Sequence, residues 1–266
     1  MSRINYIKQF CLVNHILTRK KPEQIDYILQ NKKALICLYD HEESPQIIRS
    51  LNRIQGNKDL VILSVGSYSN TFCKYLFEDK FTVIYSNFDF RIQNIKSASM
   101  RHVDKIQGNR LDVLCSCSRM RMRQTDVISE IFYEDFDVKH YEDLWQNRDY
   151  LNELFLTHNV IIEPRYNCNK AFLESISLGA PVLFSDMCKI YVPDVYLTET
   201  NHKIVDFFNY DEVNDAIRHL SSQDNLSIHK TFIETANMEE EKFNDIIDSI
   251  DFSDFFTKHE MELLDD

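Results

Sequence analysis

Short runs of apolar residues alternate along this chain with segments whose apolar residues recur at helical spacing. Six runs predict strands, at residues 34–39, 60–65, 81–86, 111–116, 160–162 and 182–185. Residues 46–54 and 71–78 have the helical pattern instead. Because the strand-like runs are apolar throughout and helical segments separate them, we expect parallel strands covered on both faces. The pattern therefore predicts an α/β fold.

The end of the chain has a different pattern. From residue 237 onward, charged residues surround apolar ones at helical spacing, namely Phe243, Ile246, Ile247 and Ile250, which predicts an amphipathic helix. The glycine at position 108 is the best candidate for an earlier boundary. We therefore expect an N-terminal α/β domain at 1–108, a C-terminal α/β domain at 109–235 and an acidic helical tail at 236–266.

The segment EPRYNCNKAFLESISLGAPVLFSD, residues 163–186, contains one of only four glycines in the chain. We expect a strand to end before it and a helix to follow, capped by Asn167 or Asn169. Gly179 should end this helix, because glycine adopts the left-handed conformation without strain. Pro181 should begin the next strand. The segment thus predicts one βαβ unit.

Glu174 lies about one turn into this predicted helix. In open parallel sheets, ligands bind beyond the carboxyl ends of the strands, and a helix N-terminus suits a phosphate group. A carboxylate one turn further along can accept hydrogen bonds from two adjacent ribose hydroxyls. Together these features indicate a nucleotide-sugar site. The alternative is that Glu174 is a solvated helix residue.

Charge is distributed unevenly over the sequence. The net charge of the chain is −12, but residues 231–266 contain twelve Asp or Glu and two Lys, a net charge of −10. Residues 91–123 contain eight Lys or Arg and two Asp, a net charge of +6. The basic stretch indicates either a site for a polyanionic partner such as DNA or a solvated charged surface.

Other signals exclude some classes of function. The seven cysteines form no CxxC pair, so we expect free thiols in a reducing compartment and no zinc. No apolar run reaches the ~18–20 residues that span a bilayer, and the N-terminus lacks a signal-peptide pattern. We therefore expect a cytoplasmic protein without stable membrane insertion. Asp135 and Asp137 have the spacing of a metal-binding DxD, but they follow a helix-like segment, so no metal site is expected there.

Three segments in order resemble a known family: DYLNELFLTHNVIIEPR, AFLESISLGAPVLFSD and KIVDFFNYDEVNDAIRHLSSQ, between residues 149 and 223. They resemble the C-terminal donor-binding unit of retaining GT-B glycosyltransferases. The resemblance implies two Rossmann-like parallel-sheet domains facing a cleft. The N-terminal domain, here reduced, would serve the acceptor, and the C-terminal domain would bind a nucleoside-diphosphate sugar, with UDP the expected nucleotide.

The resemblance also implies roles for individual residues. Glu174 matches the family's glutamate that contacts the donor ribose. Tyr166 stands where the family has a further glutamate that contacts the transferred sugar, so this sequence departs from the pattern there. Candidate donor-binding residues are Glu174, Arg119, Arg123, Lys170 and Asn169, and candidate catalytic residues are Tyr166, Asn167 and His41. Neither a cofactor nor a divalent metal is expected.

The acceptor is open on the sequence alone. The basic stretch and the overall composition resemble small bacteriophage enzymes that transfer sugars to hydroxymethylcytosine in double-stranded DNA, which would act in the host cytoplasm. One alternative is a bacterial transferase that modifies a cell-surface polysaccharide or a protein. Another is a non-catalytic protein that binds a nucleotide or a partner, which the departure at Tyr166 favours.

Overall fold

The structure is a computed structural model. It describes residues 22–31, 34–39, 45–88, 90–106, 112–115, 138–140, 148–163, 167–168, 170–190 and 192–249. The chain divides into two compact units: Met1–Asp89 together with Met238–Asp266 form the first unit, and Phe90–Asn237 form the second. The predicted domains at 1–108, 109–235 and 236–266 stay predictions, since no observation tests them as independent domains.

The first unit contains a three-stranded parallel sheet. Its elements in chain order are α1 (Pro22–Asn31), β1 (Ala34–Tyr39), α2 (Pro45–Arg53), β2 (Asn57–Val65), α3 (Ser67–Leu76) and β3 (Phe81–Ser86). The strand order is β1-β2-β3, and both pairings are parallel. Apolar side chains from all three helices and all three strands form one core cluster.

The second unit contains a five-stranded parallel sheet. Its elements are α4 (Phe90–Met100), β4 (Asp112–Cys115), β5 (Val138–His140), α5 (Arg148–Thr157), β6 (His158–Glu163), β7 (Asn167–Cys168), α6 (Lys170–Ser177), β8 (Val182–Ser185), β9 (Lys189–Ile190), β10 (His202–Val205) and α7 (Tyr210–Ser221), with 3₁₀ turns at Val103–Lys105 and Asp194–Tyr196. The order is β10-β8-β6-β4-β5, while β7 and β9 form a separate parallel pair.

The last described helix, α8 (Asn225–Ser249), begins in the second unit and continues in the first. It starts twelve residues before the predicted position 237. Its buried residues recur at helical spacing along most of its length: Ile228, Phe232, Ala236, Phe243 and Ile247. Within the first unit, the Phe243 ring stacks on Phe88 with ring centroids 4.7 Å apart.

The α/β class is confirmed. All six predicted strands lie in parallel sheets, with ends that differ by a few residues from the prediction. The apolar pattern does not predict β5, β7 and β9, which are two or three residues long and too short to show a period. It also does not predict β10, whose four residues include the polar His202 and Lys203. Within the part of the chain that the structure describes, no helix is long and apolar enough to cross a membrane.

Candidate functional site

Helix α6 ends as its sequence predicts. Gly179 has a φ of +78°, in the left-handed region. The N–H of Gly179 donates to the carbonyl of Ile176, and the N–H of Ala180 donates to the carbonyl of Ser175, each over 3.0 Å. This pair of bonds is the Schellman motif, which satisfies carbonyls that a helix end leaves free. The prediction of a glycine stop at residue 179 is confirmed.

Two side chains of α8 hold the same helix end in the second unit. Asn225 Nδ2 donates to the carbonyl of Gly179 over 2.5 Å, and His229 Nδ1 lies 2.6 Å from the carbonyl oxygen of Ser177. Because a carbonyl only accepts, this ring nitrogen must carry the proton. A Cβ at Gly179 would run into the backbone carbonyl of Asn225. Position 179 therefore requires glycine for two reasons: there is no room for a Cβ atom, and the backbone angle is left-handed.

Glu174 is a buried residue, 8% exposed. Every residue from 171 to 180 is buried, so this described part of α6 has no solvated face. The alternative prediction, that Glu174 is a solvated helix residue, is therefore wrong. A buried carboxylate is costly unless other groups or a ligand compensate its lost hydration, which makes Glu174 a residue that needs a physical explanation.

Glu174 lines a cavity of about 270 Å³ in the second unit. The walls come from α4, α5, α6 and the residues just after α4 and α6. The other polar residues of the lining are Asn94, Ser99, Arg101, Asp149, Asn152 and Ser177, and the apolar ones are Ile95, Ala98 and Leu178. Helices thus build this cavity, rather than the loops after strand ends that the sequence led us to expect.

Ionic and polar contacts connect the elements around the cavity. Lys105, in the turn after α4, forms a salt bridge of 2.7 Å with Glu153 on α5. The hydrogen bond from Lys105 holds the pKa of the Glu153 carboxyl below its ordinary value. On α4, Lys96 Nζ donates to Asn237 Oδ1 over 2.9 Å. These contacts connect α4 and its following turn to α5 and α8.

His202 lies beside α6 at the sheet. Its ring meets the Phe172 and Phe184 rings edge-on, with centroids 6.4 and 6.3 Å away, and its Nδ1 lies 2.8 Å from the Thr198 carbonyl oxygen. Burial holds the pKa of His202 below its ordinary value, while the contact with Thr198 acts in the opposite direction. The aromatic surroundings therefore favour the neutral ring.

Of the candidate site residues, Glu174 has a described side chain. Asn167 lies in β7 and Lys170 is the first residue of α6, and the structure gives their backbone placement. The remaining candidates lie outside the described residues: Tyr166, His41, Asn169, Arg119 and Arg123, together with the Asp135–Asp137 pair. Their roles stay predictions. Among the described residues, no group of three or more His, Cys, Asp and Glu side chains could hold a metal ion.

Sequence reasoning missed the partners of Glu174 in the cavity. Asn94, Ser99 and Arg101 come from α4 and the turn after it, while Asp149 and Asn152 come from α5. These residues are about 20 to 80 positions from Glu174 and belong to no motif. Their association depends on how three helices pack against each other, which the spacing of residues along the chain does not show.

Comparison with known proteins adds little beyond the fold. No protein-family model matches the chain, and no curated protein matches it. Among solved structures, the sucrose-phosphate synthase of Thermosynechococcus elongatus is similar, with a TM-score of 0.48 and 9% sequence identity, over 83% of this chain and 69% of that chain. At this level of similarity we draw no conclusion about activity from it. The established result is a mixed α/β fold in which a buried carboxylate lines a cavity of mixed polar and apolar residues.

Proposed function

We propose that this protein is a glycosyltransferase that uses a nucleoside-diphosphate sugar, with UDP as the nucleotide and Glu174 holding the ribose hydroxyls. One observation carries the proposal: the glutamate that the sequence resemblance assigns to the donor ribose is buried and lines a cavity. A solvated Glu174, remote from any cavity, would have removed the basis for this role.

The size of the cavity fits part of such a donor. Pockets that enclose a drug-sized ligand typically measure ~300–1,000 Å³, and this cavity measures about 270 Å³. It has room for a ribose ring but not for a whole nucleotide sugar. Its lining of carboxylate, amide and hydroxyl groups suits a ligand with several hydroxyls. The diphosphate would lie outside the cavity, and Arg119, Arg123 and the first amides of α6 are the candidates to bind it.

The proposed reaction proceeds with retention. The acceptor hydroxyl forms a bond to the anomeric carbon on the face from which the diphosphate departs. The bond between that carbon and the diphosphate oxygen breaks, and a diphosphate oxygen takes the hydroxyl proton. The protein would act by positioning both substrates and by stabilising the negative charge that grows on the diphosphate.

For the acceptor, we propose hydroxymethylcytosine in double-stranded DNA, as modified by bacteriophage enzymes. The support is the net charge of +6 over residues 91–123, because DNA binding needs cations for the phosphates. Among the described cations of this stretch, Lys105 is already paired with Glu153 and Lys96 with Asn237, while Arg101 is exposed. Any DNA surface would therefore depend mainly on Arg101 and on arginines whose side chains the structure does not describe.

Mass spectrometry can test transfer directly. Hydroxymethylcytosine DNA would be incubated with the protein and each of several UDP-sugars, and the nucleosides then analysed. We expect a mass increase of one sugar residue with at least one donor, and loss of the product with Glu174→Gln. Glu239→Gln is a matched control, because Glu239 is also a buried helical glutamate (4% exposed) but pairs with Lys242.

The same experiment also distinguishes the DNA acceptor from the alternative functions. Slow release of UDP without a DNA product would instead favour a polysaccharide or protein acceptor. Donor binding without transfer or hydrolysis on any acceptor would favour a non-catalytic protein, the alternative that the departure at Tyr166 supports.

A further inference from the structure

The buried part of the Glu174 cavity offers hydrogen-bond acceptors. Its three most buried polar side chains are Ser99, Ser177 and Glu174. The Ser99 hydroxyl donates to the Lys96 carbonyl over 3.0 Å, and the Ser177 hydroxyl donates to the Glu174 carbonyl over 2.8 Å. Both hydroxyl protons are therefore used within α4 and α6, and the oxygens keep their acceptor lone pairs.

The Glu174 carboxylate adds to this acceptor character. Glu174 already makes contacts within the protein. An ionised carboxylate has about four acceptor positions, so it can take further donors beside those contacts. A ligand group that fits the buried end of the cavity must consequently bring donors, as a pair of ribose hydroxyls does.

A second carboxylate lies at the exposed side of the same cavity. Asp149 is in the first turn of α5 and is exposed. Together with Glu174 it faces a cavity whose lining, among the residues that the structure describes, contains one cation, Arg101. Two carboxylates against one guanidinium disfavour a phosphate inside the cavity, because like charges repel at short range.

We propose that Asp149 is a second ligand-binding carboxylate of this site, and that the cavity takes the ribose hydroxyls of a nucleoside diphosphate while the phosphates stay outside. The inference rests on the proposed function and deepens it. The resemblance assigns no role to Asp149, whereas the structure brings it to the cavity of Glu174. Asp149 and Glu174 accept from the ribose diol, and Ser99 and Ser177 surround it with further acceptors.

The test compares two nucleotides and three forms of the full chain by titration calorimetry. The nucleotides are UDP and its 2′,3′-dideoxy analogue, which lacks both ribose hydroxyls. The proteins are the wild type, Asp149→Asn and Asp211→Asn. Asp211 is a matched control, because it is also an exposed aspartate in the first turn of a helix, α7, but does not line the cavity. Thermal unfolding of both variants checks that removing a carboxylate from the first turn of α5 or of α7 changes the stability of the protein by a similar amount.

We expect the wild type to bind UDP at least about tenfold more tightly than the dideoxy analogue, since hydrogen bonds to charged groups are worth at least that much. Asp149→Asn should weaken UDP binding about tenfold and remove most of this preference. Asp211→Asn should behave as the wild type.

Three results would overturn the inference. One is an unchanged preference for UDP over the dideoxy analogue in Asp149→Asn. Another is tighter UDP binding by Asp149→Asn, which would mean that Asp149 only repels phosphate. The third is equal binding of both nucleotides by the wild type. Complete absence of UDP binding would overturn the proposed function as well, so the two failures are distinguishable.

Discussion

Helix α3 in the first unit and helix α6 in the second each lie between two parallel strands of their own unit. The two helices differ in how much of their surface is buried. On α3, Thr71, Lys74 and Tyr75 are exposed, Tyr75 at 88%. On α6, every residue from 171 to 177 is buried. One helix covers one side of its sheet, whereas the other is enclosed by its neighbours.

The comparison shows when a charged side chain indicates a binding site. Lys74 on α3 is exposed and keeps its hydration, so its charge calls for no ligand. Glu174 on α6 is removed from water, and a charge in that position costs stability unless something compensates it. A charged side chain therefore has a different significance on the two helices, and packing decides which one applies.

The largest expected effect comes from truncating a buried ring on α6. Phe172 is fully buried and lies 5.5 Å, centroid to centroid, from Phe184. We expect Phe172→Ala to lower the free energy of unfolding by about 3–5 kcal/mol. Tyr75→Ala on α3 should change it by less than about 0.5 kcal/mol, because that ring is exposed. Urea unfolding measures both, and similar losses in the two variants would contradict the difference in packing.

A smaller but clear loss is expected at the end of α6. Gly179→Ala places an alanine at φ +78° and a methyl group against the Asn225 carbonyl. The left-handed angle alone costs about 1–2 kcal/mol, and the contact with backbone adds to it. We expect a total loss of about 2–4 kcal/mol in the free energy of unfolding. A loss below about 1 kcal/mol would mean that α8 does not pack here as described.

The smallest effect concerns pH. Because burial in the folded protein lowers the pKa of His202 from its ordinary value of 6.5, the unfolded chain binds the proton more readily. This contribution to stability is present above pH 6.5 and is lost as the pH falls below that value. We expect His202→Phe to reduce the loss of stability between pH 8 and pH 5.5, measured by urea unfolding. An unchanged difference between the two pH values would contradict this role.

The sequence predicted those features that depend on neighbours along the chain. Strands with continuous apolar runs are visible in the sequence, so it predicts β1 to β4, β6 and β8, including β3, which is only partly buried. The sequence predicts Gly179 as the helix end because glycine adopts the left-handed angle of a helix C-terminus without strain, and the structure has that angle. The position of Glu174 on a helix followed from the same segment.

Features that depend on distant packing could not be predicted. Asn94 and Asp149 become neighbours of the Glu174 cavity because α4 and α5 pack beside α6, and nothing in their local sequence indicates this. The predicted tail helix begins at residue 237, close to the start of the acidic stretch, whereas α8 begins at Asn225 and its buried residues Ile228 and Phe232 already have helical spacing.

Equilibrium binding of UDP to Glu174→Gln tests the central claim most directly, because it isolates the carboxylate from the question of acceptor. The account predicts that the wild type binds UDP, that Glu174→Gln binds it at least about tenfold more weakly, and that Glu239→Gln binds it as the wild type does. Equal affinity of the wild type and Glu174→Gln would contradict the claim that this buried carboxylate holds the ribose.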